Sequence, residues 1–229
     1  MLIPLKSEEP TFKPPVITTL LIILNIVAFL YQRYAMIFHY QDIASMYGAI
    51  PYEFTRLKDI PPRSPYPFYI SIITYMFLHG GILHIVGNML YLNAFAPNIE
   101  GIMGHTKFLL FYLLCGVIAV IVYIIPNFNM QIPLVGASGA IAGIMGAHLR
   151  TLPGTKIRCL FFIFPISLPA VIVLIPWIAI QFANVIMNEQ SNIAFIAHIG
   201  GFLFGMFTAR TFTGRWIFRK KKISVDQDF

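Results

Sequence analysis

The chain predicts an all-α fold: a polytopic membrane protein in which six transmembrane helices form one bundle. Its 229 residues are 58% hydrophobic and only 11% charged, and its mean hydropathy is +0.75, a balance that excludes an ordinary soluble domain. The apolar runs approach the ~20 residues with which a helix crosses ~30 Å of hydrocarbon. The bilayer core holds no water to satisfy backbone groups, so helices are the expected form of each crossing.

The first span is read from Val16 to Ala35, after a short polar segment with Lys6 and Lys13 and before Tyr31, Gln32, Arg33 and Tyr34 close it. No small-residue cleavage site of the A-x-A type follows, so the span is read as retained. Met36 to Ser64 is a loop with Asp42, Glu53, Arg56, Lys58, Asp59 and Arg63, too long for a mere connector. Pro67 to Ala96 is almost continuously apolar, longer than one span requires, and Gly80-Gly81 divides it. The second span is placed after that break, from Gly81 to Ile99, with Phe68 to Leu78 as a membrane-associated end of the loop.

The third span runs from Thr106 to Ile125, closed by Pro126 and Asn127, and the fourth from Val135 to Leu149, before Arg150. The fifth is Leu168 to Met187 and the sixth Asn192 to Thr211. Residues 1–15 are then a short N-terminal segment, 16–212 the six-helix unit and 213–229 a basic tail. Lys6, Lys13, Lys107, Arg150, Lys156, Arg158, Arg210, Arg215 and the cluster Arg219 to Lys222 fall on one side. Only Arg33, Arg56, Lys58 and Arg63 fall on the other, which puts both termini in the cytoplasm of a multi-pass protein in a cell membrane, plasma or inner. The net charge of +7 is accounted for by this bias and by a tail suited to membrane-lipid headgroups; it calls for no nucleic acid. Cys115 and Cys159 lie in a span and a cytoplasmic loop, where no disulfide is expected.

Ionisable side chains are costly inside such a bundle, so each is a functional candidate. The stretch GASGAIAGIMG sets Ser138 among Gly136, Gly139, Gly143 and Gly146, a face without side chains that lets another helix come close. Ala197, Gly201 and Gly205 make a second such face in the sixth span, beside His198. His84 and Asn88 share one face of the second span. Counted at 1.5 Å per residue, Ser138, His84 and His198 sit within ~5 to 10 Å of the same, extracytoplasmic, membrane end. A serine hydroxyl needs a base to become a nucleophile, and His198 within reach makes a Ser-His dyad. The Ser138 backbone N–H with the His84 and Asn88 side chains would form an oxyanion hole. No span contains Asp or Glu, so Glu189 and Asn192 are the nearest polar candidates to orient His198.

His79-Gly80-Gly81-Ile82-Leu83-His84 followed by Asn88, then Gly136-Ala137-Ser138-Gly139, then Ala197-His198-Ile199-Gly200-Gly201 with Gly205, resembles the rhomboid family of intramembrane serine proteases. The likeness spans about Met46 to Phe207. It implies Ser138 as nucleophile, His198 as general base and acid, and His84 and Asn88 as oxyanion stabilisers. It further implies membrane-protein substrates, single-span or polytopic, cut near the outer boundary after local unwinding, with no metal or organic cofactor. Asn98-Ile99-Glu100 with Gly104 resembles the family's E-x-x-x-G element, read as structural. Many relatives carry a Trp-Arg pair in the first loop, where Tyr52 to Arg56 stands here, and some have an aromatic residue at the place of Ala142 to pack the histidine. A non-catalytic rhomboid-like escort, the alternative, is expected to lack the serine or the histidine. A transporter is disfavoured, because the polar cluster is off-centre.

The remaining histidines read differently. His79 is expected to fasten the loop, while His39, His105 and His148 near span ends are expected to be solvated. A metal site among them would need a converging third ligand. The fifth span and the loop Met187 to Asn192 are the expected gate.

Overall fold

The computed structural model describes residues 2–11, 13–187 and 192–213, without the side chains of 192–194. Helix α1 (Val16–His39) follows Pro14-Pro15 and ends at Tyr40, which takes a left-handed conformation. The first loop is structured, with two short helices, α2 (Ile43–Tyr47) and α3 (Pro51–Arg56), then a helical turn and α4 (Ser71–Thr74). Residues Phe68–Phe77 bend by 76° into α5 (Ile82–Met103) at the glycine pair. Helix α6 (His105–Ile124) precedes Pro126, and α7 (Ser138–Thr151), α8 (Ala170–Ile186) and α9 (Asn192–Thr213) complete the described helices.

These long helices stand where the six apolar segments were read. Val16–His39, His105–Ile124 and Phe195–Thr213 have the length and apolarity of a crossing, and the bent pair makes a fourth if it is one span. Helix α7 has only 14 residues, and α8 only 17. The bundle is sided as a lipid solvent requires. Helix α1 turns Leu20, Ile23, Leu24, Val27 and Leu30 outward, whereas every residue of α7 from Gly139 to His148 is buried.

The all-α expectation is corrected by a sheet of three antiparallel strands, β1 (Leu2–Ser7), β2 (Lys156–Phe161) and β3 (Phe164–Pro169), in the order β1-β2-β3. KIRCLFFIFPISLP is rich in β-branched and aromatic residues, which favour a pleated strand. Its second half, where the fifth span was expected to begin, instead pairs back on the first half, and α8 starts only after Pro169. The N-terminal segment supplies the third strand, with Leu2 opposite Phe161 and Ser7 opposite Ile157. Cys115 and Cys159 are free and buried.

Glu100 explains the E-x-x-x-G element. It is fully buried and accepts hydrogen bonds from the backbone N–H groups of Ile17 and Thr18, both at 2.8 Å, and from the Thr18 hydroxyl at 2.7 Å. The first turn of α1 contains no acid of its own, so a carboxylate from α5 satisfies its unpaired donors and its dipole. Gly104, at φ 79°, then turns the chain into α6. His105 is not simply solvated, since its Nδ1 lies 2.6 Å from Glu100. His148 is a clearer correction. It is fully buried, its ring edge-on to that of Phe95, because it lies on the inward side of the last turn of α7, whose exposed residue is Arg150.

Helices α7 and α9 meet along the two glycine faces, as their spacing predicted. A Cβ on Gly201 would strike the Gly139 carbonyl, and one on Gly205 the Gly143 carbonyl. Backbone atoms cannot turn aside, so Gly205→Ala is expected to destabilise the protein by about 1–3 kcal/mol or more, read as a lowered midpoint of thermal unfolding in detergent. Gly87→Ala, where an added Cβ meets nothing within 4 Å, is expected to leave stability unchanged or raise it by up to ~1 kcal/mol.

Candidate active site

Ser138 is the first residue of α7, a little later than the sequence suggested, because Gly136 at φ 127° breaks the chain just before it. The approach to the serine is clamped from three sides. Ala49 and Leu134 exchange backbone hydrogen bonds of 3.0 and 2.9 Å, the Thr55 hydroxyl donates to Phe128 O at 2.6 Å, and Gly136 N–H donates to Tyr75 O at 2.8 Å. As the first residue of the helix, Ser138 leaves its backbone N–H without an intrahelical acceptor.

The Ser138 hydroxyl lies 2.8 Å from His198 Nε2, and His198 Nδ1 lies 2.9 Å from Gln181 Oε1 on α8. Gln181 also donates from Nε2 to Trp177 O at 3.1 Å. That bond fixes the amide orientation: Oε1 must accept, so His198 carries its proton on Nδ1 and presents a bare lone pair at Nε2 to the serine. The hydrogen bonds therefore run in one direction from Ser138 through His198 to Gln181. Trp177 stacks at a tilt against His198, ring centroids 5.8 Å apart, and Phe195 meets it at 6.4 Å. These rings supply the packing that Ala142 lacks.

His84 is placed the same way from the other side. Gly80 N–H donates to its Nδ1 at 3.3 Å, which leaves the proton on Nε2. That Nε2 borders Gly136, beside the Ser138 hydroxyl. Asn88 is buried, and its Nδ2 has no hydrogen-bond partner among the protein groups. Ser138, His198, His84 and Asn88 line one cavity of about 270 Å³, whose walls include Leu83, Tyr91, Met145 and Trp177. A serine with a base in reach, next to donors that converge on an apolar cleft, can carry out acyl transfer.

The sequence grouped these four side chains but missed Gln181. It named Glu189, which lies outside the described residues, and Asn192, whose side chain does too; the loop expected to gate the site is also mostly outside them, as is the cluster Arg219 to Lys222. The signal for Gln181 was present: a buried glutamine in the apolar run AVIVLIPWIAIQFANVI needs a partner. His79 does fasten the loop, but through its backbone. Its N–H donates to Gln32 Oε1 at 3.1 Å and its carbonyl accepts from Gln32 Nε2 at 3.0 Å.

Residues 68–215 match the Rhomboid domain. The chain is 35% identical over 141 residues to RHOMBOID-like protein 6, mitochondrial, of Arabidopsis thaliana, an alignment that covers 58% of this chain and 40% of that protein. It is 30% identical over 139 residues to Presenilin-associated rhomboid-like protein A, mitochondrial, of Danio rerio, with 60% and 36% covered. Against Rhomboid protease GluP of Bacillus subtilis (strain 168) it is 32% identical over 138 residues, with 60% and 25% covered. The chain thus spans two fifths or less of each of these relatives.

If Gln181 holds His198 in the tautomer described, Gln181→Leu is expected to slow acylation of Ser138 by a fluorophosphonate about three- to a hundredfold, the loss of one hydrogen bond to a group that becomes charged. Gln181→Glu, which keeps an acceptor, is expected to react faster than Gln181→Leu. Equal rates for wild type and Gln181→Leu would make Gln181 a packing residue.

Proposed function

The chain belongs to the rhomboid family, and from that premise we propose that it is an intramembrane serine endopeptidase acting through a Ser138–His198 dyad. The observation that carries the proposal is the directed line of hydrogen bonds from Ser138 to His198 to Gln181, beside the unpartnered Asn88 donor in the same cavity.

In the proposed reaction His198 Nε2 takes the hydroxyl proton as Ser138 Oγ attacks the scissile carbonyl carbon. The carbonyl oxygen becomes an oxyanion, held by the Ser138 backbone N–H, His84 Nε2–H and Asn88 Nδ2–H. Collapse of the tetrahedral adduct breaks the C–N bond. The leaving amine takes the proton from His198, and Ser138 remains as an acyl ester. A water molecule, deprotonated by His198, then attacks the ester, and its breakdown returns the proton to Ser138. Gln181 accepts from Nδ1–H throughout and stabilises the imidazolium that forms twice in each turnover.

The proposed substrates are membrane-spanning segments of single-span or polytopic proteins. A helix offers no free carbonyl, since each is paired with the N–H four residues on, so the segment must unwind locally to reach the cavity. The proposed topology has six crossings between residues 16 and 212, with both termini cytoplasmic by the Lys and Arg bias, in the plasma or inner membrane of a cell. The short α7 fits this reading. Its 14 residues span only ~21 Å of a ~30 Å core, which leaves Ser138 sunk below the outer boundary, at a level where a substrate helix can unwind into a cleft that admits water.

Reconstituted in liposomes with a single-span substrate, the protein is expected to cut it near the extracytoplasmic boundary. Ser138→Ala and His198→Ala should each abolish cleavage without loss of folding, and Asn88→Ala should lower kcat roughly a hundred- to a thousandfold. Undiminished cleavage by Ser138→Ala defeats the proposal. A folded wild-type protein that binds the segment without cutting it would favour the escort.

A further inference from the structure

The turn that joins β2 to β3 is made of Phe162 and Ile163, and the four residues from Phe161 to Phe164 are 46%, 69%, 78% and 64% exposed. Two-residue hairpin turns ordinarily use Asn-Gly or Asp-Gly, which suit both the positive φ and the water around a tip. Here Phe162 itself sits at φ 54°, a conformation that bulky residues rarely take. A turn of this composition would be a poor choice in water.

The whole sheet is polarised along its strands. Toward the tip it holds Leu2 to Leu5 and Cys159 to Ile166, with no charged residue. Away from the tip lie Lys6, Ser7, Glu8, Lys156, Arg158 and Ser167, where the Glu8 carboxylate accepts from the Ser167 hydroxyl at 2.6 Å and from Arg158 Nε at 3.4 Å. The tip is also the end directed into the bundle. Glu9 O accepts from Asn98 Nδ2 at 3.5 Å and Leu5 O from Asn93 Nδ2 at 3.0 Å, so β1 climbs α5 from its Glu100 end toward its middle. Leu2, level with Phe161, lies three residues further, ~10 Å along the strand.

We infer that the β2–β3 hairpin is inserted into the bilayer, its Phe161–Phe164 tip among acyl chains at the level of the middle of α5 and its charged end among the headgroups at the Glu100 end of that helix. A sheet edge in hydrocarbon is costly because its outward N–H and C=O groups lack partners. Both edges are adapted to that. Strand β1 lies against α5, with Asn93 taking the Leu5 carbonyl. Strand β3 carries Pro165 and Pro169, which by strand alternation share the outward parity with Ser167, so Ser167 keeps the one outward N–H between them, at the polar end. This inference rests on the membrane bundle and not on the proteolytic reading.

The test uses the unmodified protein in liposomes containing a phosphatidylcholine with a diazirine in one acyl chain. After photolysis and digestion, mass spectrometry is expected to find lipid adducts on residues 160–165 as well as on the lipid-facing side of α1. Adducts on α1 with none on the hairpin overturn the inference. In a second measurement Ile163→Cys and Lys156→Cys are spin-labelled; Cys115 and Cys159 are buried, so the introduced thiol is the one that reacts. Oxygen is expected to relax the label at 163 several-fold more than a water-soluble nickel chelate does, and the label at 156 the reverse. A label at 163 as open to nickel as that at 156 overturns the inference equally. Neither readout involves cleavage, so a failure here is distinct from a failure of the protease proposal.

Discussion

The closeness of α7 and α9 is the constraint on which the rest depends. A 2.8 Å contact between Ser138 and His198 requires two backbones nearer than any side chain permits, and the approach of Gly201 and Gly205 to the Gly139 and Gly143 carbonyls provides it. Lipid offers helices no hydrophobic drive to associate, so association rests on such close van der Waals contact. The geometry of the site and the packing of the bundle therefore come from the same residues. The remaining clamps follow from that pair. Tyr75 ties Gly136 in place by its backbone carbonyl, and its hydroxyl donates to Gly116 O of α6 at 2.7 Å, so the serine end of α7 is held against a third helix.

The direction of the hydrogen bonds is set as firmly as their lengths. Two histidines face the same cavity, and each has its tautomer determined by a neighbour outside it: Gln181 makes His198 an acceptor toward the serine, and Gly80 N–H makes His84 a donor toward the same place. A histidine with either nitrogen free could serve both purposes poorly. In a medium of low dielectric, where each misdirected polar group costs more than in water, one backbone amide and one glutamine are enough to divide the roles.

Much of this was legible in the sequence, and what was not has physical causes. Ser138, His198, His84 and Asn88 could be grouped because helical periodicity and depth are simple functions of residue number. The contact of the two glycine faces followed from their spacing, and the packing of Trp177 on His198 did not, since no local pattern says which aromatic ring of α8 turns inward. Gln181 was overlooked because Glu189 and Asn192, the residues read as orienting His198, lie beyond or at the ends of the apolar segments, whereas Gln181 stands inside one. The sheet was missed because a continuous apolar run reads equally well as a helix or a strand. Partners for β2 came from the chain's first residues, some 150 positions away, a pairing that periodicity does not encode. His148 misled through its position: near a helix end in sequence, it is fully buried because it lies on the inward side of that end.

Asn88 is best understood against the other unpartnered polar groups. A buried donor or acceptor left without a hydrogen bond costs about 1–3 kcal/mol, and Asn25 and Asn98, each at Oδ1, and Tyr112 and His148 also carry such atoms. Of these residues, Asn88 alone lines the cavity that holds Ser138. The others are buried away from that cavity, within the packing of the bundle. For Asn88 the cost is conditional: it persists while the site holds only the folded protein and disappears when an oxygen with negative charge arrives within reach of Nδ2. On the proteolytic reading that oxygen is the oxyanion, which appears after attack and is absent from the ground-state carbonyl. An interaction strongest at that moment lowers the barrier instead of tightening substrate binding. The donor's lack of a partner in the resting protein is then the condition for its use, and the rigid frame of α5, held at Glu100 below and at Gly80 above, keeps it from finding one.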